Sequence, residues 1–154
     1  MRGQFIRGDG LILPNNVSQA GAAMILRGAF RLTSQPIYAA LVRGAPTLSM
    51  RMVSMSEPTI GVNGYNRVFI PQDENSWPQL GEFNSETFIR SMWLPFAAVG
   101  GSFDKPIQRI ALVGSAIYNP TDPVFALSAP LEVPLVITPD TPLAYRRFRY
   151  QFYL

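Results

Sequence analysis

The chain has 154 residues, enough for one domain with its own apolar core. It contains no Cys and no His, which excludes disulfides and thiolate or imidazole metal sites and removes the commonest general base. The net charge of +3 rests on twelve Arg and one Lys against ten acidic residues, an excess spread along the whole length, so nucleic acid is not expected as a partner.

Residues 1–16 read as an extended N-terminal arm. Gly3, Gly8, Gly10 and Pro14-Asn15-Asn16 punctuate two apolar patches, Phe5-Ile6 and Leu11-Ile12-Leu13. Two such patches on a flexible arm imply that it lies against its own domain or against a neighbouring subunit. The basic start is not followed by the apolar stretch of a signal peptide, and no apolar run approaches a membrane span. A soluble protein made in the cytoplasm, with no membrane partner, is the expectation.

The single domain predicted over residues 17–154 opens with a helix at about 17–31. Ala22, Ile25, Leu26, Ala29 and Phe30 form a core-facing stripe, Asn16 or Ser18 can cap the start, and Arg27 and Arg31 sit near the negative end of the dipole. Gly21 and Gly28 each weaken it by about 1 kcal/mol relative to Ala, so it depends on tertiary packing.

Beyond it, short apolar runs cut by Pro and Gly point to strands. These are residues 37–42, ending at Arg43-Gly44-Ala45-Pro46, then 65–70 after the turn Gly61-Val62-Asn63-Gly64, then 87–93. Residues 48–55 are Met-rich and fit neither period clearly. Residues 71–84 are polar and turn-like, with Trp77 as their one large apolar anchor. Residues 107–118 are apolar on both faces, as in a central covered strand. Runs at 123–129 and 131–138 follow, with Pro130 and Pro134 placing that region at a bend or sheet edge. In the terminal run Arg146, Phe148, Tyr150, Phe152 and Leu154 share one face, and Tyr145, Arg147, Arg149, Gln151 and Tyr153 the other. The pattern predicts a mostly β fold, a jelly-roll-like antiparallel β-sandwich with an N-terminal arm and one short helix.

Chemistry is sparse. The eleven serines have neither His nor Cys to activate them, and Lys105, within Phe103-Asp104-Lys105-Pro106, reads as a solvated turn residue. Asp73, Glu74, Glu82 and Glu86 could in principle act as paired carboxylates on a sugar, yet such a cluster is usually a solvated loop. Asp9, Asp73, Glu74 and Asp122 lack a calcium-loop spacing, and Gly100-Gly101 lacks the flanking residues of a phosphate cradle. No catalytic residue, cofactor or metal is expected. The interleaved Arg and aromatic residues between Tyr145 and Tyr153 suit a protein interface better than single-stranded nucleic acid. The predicted interface therefore joins Phe5, Ile6, Leu11, Ile12 and Leu13 of the arm to Tyr145, Arg147, Arg149 and Tyr153.

Leu13-Pro14-Asn15-Asn16 ahead of a helix, Ile37-Tyr38-Ala39-Ala40-Leu41, Glu57-Pro58 followed by Gly64-Tyr65-Asn66-Arg67, and Asp122-Pro123-Val124 with residues 131–138 together give a resemblance. From residue 11 onward the chain resembles the small virion structural proteins of tailed bacteriophages, the head-decoration and tail-fibre-like group. The Gly-Tyr-x-Arg step is its most specific element, although Val68 stands where members of that group often carry a polar residue. The resemblance implies a virion component that decorates or cements the capsid as a homo-oligomer and binds the major capsid protein or neck and tail proteins. The first alternative is a neck, collar or tail-fibre attachment protein; a rival of a different class, apart from the resemblance, is a carbohydrate-binding receptor module in which Trp77, Trp93 and the acidic loop form a sugar platform.

Overall fold

The computed structural model describes residues 2–18, 20–22, 25, 36–44 and 51–153. Ten antiparallel strands run in chain order as β1 (Arg2–Arg7), β2 (Ile12–Val17), β3 (Ile37–Val42), β4 (Val68–Ile70), β5 (Gln79–Phe83), β6 (Glu86–Arg90), β7 (Leu94–Pro95), β8 (Arg109–Val113), β9 (Val124–Ser128) and β10 (Arg147–Tyr153). They form one curled sheet in the order β4-β3-β8-β9-β2-β1-β10-β6-β5, with β7 added alongside β10. The mostly-β reading holds.

Strand β2 turns the corner of this sheet. Its first half pairs with β1, Leu13 opposite Phe5, and its second half pairs with β9, Val17 opposite Ala126. The strand thereby passes from one half of the sheet to the other, with the Pro14-Asn15 step at the changeover, as corner strands do. Ile37, Leu41, Ile110, Leu112 and Phe125 from one half join Phe5, Phe148, Tyr150 and Phe152 from the other in a single apolar core.

The other face of β3, β8 and β9 is covered too. Tyr38, Ala40, Val42, Ala111, Val113, Val124 and Leu127 pack with Met52 of the short 3-10 turn Met52–Ser54 and with Met55 just after it. Burial on both faces explains why residues 107–118 read as apolar without alternation, although the strand itself is confined to Arg109–Val113.

The first residues depart from the predicted arm. β1 lies inside the sheet, bonded to β2 on one side and to β10 on the other, and Phe5 is 0% exposed. Its ring packs against Tyr150 at 4.9 Å. Of the patches that looked like surplus apolar surface on a tail, Phe5 and Leu13 are the core side of a hairpin and Ile6 and Ile12 its outer side, with Gly10 at φ 92° in the turn.

Ala20, Gly21, Ala22 and Ile25 are helical, and Ser18 is the cap: its hydroxyl accepts from the Gly21 amide at 3.0 Å. Val17 still belongs to β2, so the helix starts later than predicted. Leu26, Arg27, Gly28, Ala29, Phe30 and Arg31 lie outside the described residues, as do residues 48–50 of the Met-rich run.

Two further boundaries moved. Residues 79–83, read as turn, form β5, which pairs with β6 through a two-residue turn where Asn84 and Ser85 take φ of 49° and 62°. The polar composition hid this strand because it is an edge strand with little to bury; Leu80 on it is 76% exposed. Residues 131–138, read as a strand, contribute only an isolated bridge between Leu135 and Ile107. Residues 143–146 form a helical turn, α1 (Leu143–Arg146), before β10.

Two substitutions test this architecture. Phe5→Ala should destabilise the chain by about 3–5 kcal/mol in urea unfolding, as for a core Phe and unlike a residue on a detachable arm. Gly21→Ala should destabilise despite the better helix propensity of Ala, because a Cβ there collides with the Phe125 backbone carbonyl. A higher melting temperature for Gly21→Ala would contradict the close approach of helix and strand.

Candidate functional site

Two polar constellations stand out, one internal and one on the outer face of the sheet. The internal one grows from the turn at Val62–Gly64, where Asn63 and Gly64 take φ of 50° and 83° and turn Tyr65 inward. Arg67 follows on the same side and meets Glu57 in a two-pronged ion pair, with Nη2 to Oε1 at 2.8 Å and Nε to Oε2 at 3.1 Å. The side chains are 0% and 5% exposed. Tyr65 donates its hydroxyl hydrogen to Glu57 Oε2 at 2.9 Å and accepts the Leu41 amide at 3.1 Å. Arg67 Nη1 donates to the Ser115 carbonyl at 2.9 Å and lies 3.8 Å from Asp122 Oδ2. Burial, and then the Glu57 carboxylate, push the Tyr65 phenol far above its usual range.

Every prong of this network is occupied by a partner within the chain. It ties the segment after β3, the turn before β4 and the loop between β8 and β9 into one unit. Beside it lies a cavity of ≈ 480 Å³ lined by Met55, Pro58, Ile60, Ile117 and Tyr118, with Glu57 in its wall and Lys105 at its edge.

The outer constellation is built by strand register. In an antiparallel pair, residues opposite each other share a face. Arg149 faces Ile6, which in turn faces Ile12; Gln151 faces both Gln4 and Arg90; Arg147 faces Pro95. Trp93, just before β7, lies among these groups. The Arg147 guanidinium sits over its ring at 4.6 Å from the centroid and that of Arg149 at 4.4 Å. Arg90 is the third cation, held by Gln79 Oε1 at 3.4 Å and lying over Phe88.

No ion pair to Arg90, Arg147 or Arg149 occurs among the described residues. The Nε atoms of Arg147 and Arg149 are buried and have no hydrogen-bond acceptor there either. Arg149 is pushed below the ordinary guanidinium value, first by burial and then by the charges of Arg90 and Arg147. It nevertheless stays protonated at neutral pH. Three cations thus share one face with an aromatic ring and form no ion pair among the described residues; Glu86, on the same side of β6, lies at the far end of that strand.

The predicted interface residues separate accordingly. Arg147 and Arg149 come together on this face, and Ile6 and Ile12 flank them, Ile12 being 54% exposed. Phe5 and Leu13 are core residues and cannot meet a partner. Leu11 is exposed at the β1–β2 turn. Tyr145 lies under the Arg7 guanidinium at 5.0 Å, and Tyr153 packs edge-on against Phe88 while accepting from Gln151. β10 is paired on both sides, so it offers a face; among the described strands β4 and β5 end the sheet order and β7 is paired with β10 alone.

Sequence reading missed Arg90 and Trp93 as members. Trp93 stood next to Leu94, and only the pairing of β7 with β10 reveals that the ring points outward while Leu94 points to the core. The sugar platform does not assemble: Trp77 is buried against Tyr150, with ring centroids 5.8 Å apart, and Trp93 is covered by guanidinium. Asp73, Glu74, Glu82 and Glu86 are exposed, and no group of three or more possible metal-ligating side chains occurs among the described residues. No family model and no curated protein matches the chain.

The internal pair provides the energetic test. Glu57→Gln should cost about 3–5 kcal/mol in chemical denaturation, because it leaves the buried Arg67 charge uncompensated. The double variant Glu57→Leu with Arg67→Met should recover much of that loss. A single variant as stable as the parent chain would show that the two charges are not held away from water.

Proposed function

We propose that this chain is a structural component of a tailed-phage particle that works by docking, with capsid decoration or cementing as a homo-oligomer as its role. The sequence resemblance supplies the particle, and the sheet face supplies the mode of attachment. The observation that carries the reading is the set Arg90, Arg147 and Arg149 around Trp93, concentrated on a rigid sheet and without acidic partners among the described residues. Arg and Trp in a well-packed patch are the residue types that dominate protein interfaces. A strand-borne patch also keeps its geometry before and after binding, so little ordering is required when it docks.

In contrast, the chemically capable groups inside the fold are engaged in holding it together. Glu57, Tyr65 and Arg67 satisfy one another, and Ser115 contacts Arg67 and Asp122. A repeating docking module needs no reacting group; it needs one surface that meets the same neighbour at every lattice position.

The test uses particles of the phage that carries the gene, grown without this protein, and the purified full chain. The chain should sediment with the particles at a stoichiometry that follows the symmetry of the shell. The double variant Arg147→Glu with Arg149→Glu, folded by circular dichroism, should stay in the supernatant. Co-sedimentation of that variant at the parent level would remove the face from the proposal, and failure of the parent chain to bind any particle would remove the role.

A further inference from the structure

Resting on that docking reading, we infer that the arginine–tryptophan face recognises a carboxylate-bearing polypeptide segment, an acidic stretch of a partner protein, and not a nucleic-acid strand. The first reason is charge: three guanidiniums converge on one face and lack ion-pair partners among the described residues. Each offers a planar fork that matches a carboxylate in two-pronged fashion. Two of them also have a buried Nε with no acceptor among the described residues, so no group there fixes their planes from behind.

The second reason is what the aromatic rings are doing. A single-stranded nucleic-acid surface needs open rings on which successive bases stack. Here the π surface of Trp93 is engaged by two guanidiniums, Tyr145 lies under Arg7, and Tyr153 packs edge-on against Phe88. The cations are also grouped at one spot, with no row that would track a phosphate backbone. Beside them Ile6 and Ile12 form an apolar strip in register with Arg149. A peptide that alternates acidic and apolar side chains would set its carboxylates on the arginines and its apolar groups on the isoleucines.

The stacking has a further effect. Guanidinium groups over an indole ring are held in fixed planes, so they lose little freedom when a carboxylate arrives. The mutual repulsion of Arg90, Arg147 and Arg149 is relieved at the same moment. An arriving anion therefore removes an existing conflict as well as forming new hydrogen bonds.

The experiment titrates the full chain with a synthetic oligoglutamate peptide and, in parallel, with oligothymidylate of equal formal charge. Calorimetry and tryptophan fluorescence are read at low and at high salt. The peptide should bind more tightly than the oligonucleotide, and its binding should weaken as salt rises. Arg90→Gln and Arg149→Gln should each weaken it by about tenfold, the loss of roughly one charged hydrogen bond. Arg149→Lys, which keeps the charge but loses the fork, should bind at an intermediate level, and Lys105→Gln should bind like the parent. Equal or tighter binding of oligothymidylate would overturn the inference, as would peptide binding untouched by Arg90→Gln and Arg149→Gln, or no peptide binding at low salt. A chain that joins particles but ignores the peptide leaves the structural role standing and sinks the acidic partner. The opposite pattern does the reverse.

Discussion

The buried pair between Arg67 and Glu57 is the interaction on which the rest of the molecule is arranged. Placing two full charges in an apolar interior carries a desolvation penalty of several kcal/mol per ion, and only near-complete hydrogen bonding offsets it. That condition is met by drawing on distant parts of the chain: Tyr65 from the same turn, the amide of Leu41 on β3, and the Ser115 carbonyl beyond β8. The pair thus fixes where three irregular segments meet. Replaced by apolar groups, the same volume could be filled without specifying which loops belong together. The charges turn a merely greasy contact into an addressed one.

Arginine occupies two opposite situations in this fold. Arg67 is inaccessible and fully matched, whereas Arg90, Arg147 and Arg149 are half-buried and have no carboxylate paired with them among the described residues. The same side chain can be a structural keystone or an unfilled demand, and the difference lies in whether an acceptor was built nearby. Evolutionary arguments are not needed to see the asymmetry. The cation–π contacts to Trp93 limit the strain of crowding three positive charges, but the ring supplies a face and no counter-ion.

Much of the architecture was written plainly in the residue pattern. β3 appeared with both boundaries correct because Ile37 to Val42 is bounded by Pro36 on one side and Arg43-Gly44 on the other. The core face of β10 followed from simple alternation, Phe148, Tyr150 and Phe152 all being buried. β1 and β5 were not legible, for different reasons. The β1 hairpin is so rich in Gly that its composition resembles a tail, and its apolar residues gain meaning only when β10, far along the chain, lies beside it. β5 buries almost nothing, so no apolar signal existed to be found. The candidate face was half visible: Arg147 and Arg149 alternate on one side of a terminal strand, but Arg90 and Trp93 join them only through strand pairing that no local pattern encodes.

The pairing of β1 with β10, Arg2 opposite Tyr153, has a consequence for how the molecule comes into being. The hairpin of β1 and β2 can close early, since its two strands are separated by a short turn. Its other flank must wait for a segment far along the chain. During that interval Phe5 has lost water-exposed freedom on one side and found no lid on the other. Loops of that length close slowly because the entropic penalty must be met before the contacts reward it. Completion of this sheet therefore waits on a long-range closure, and until then the exposed flank of β1 is the place where a folding chain of this kind is most open to pairing with a stranger.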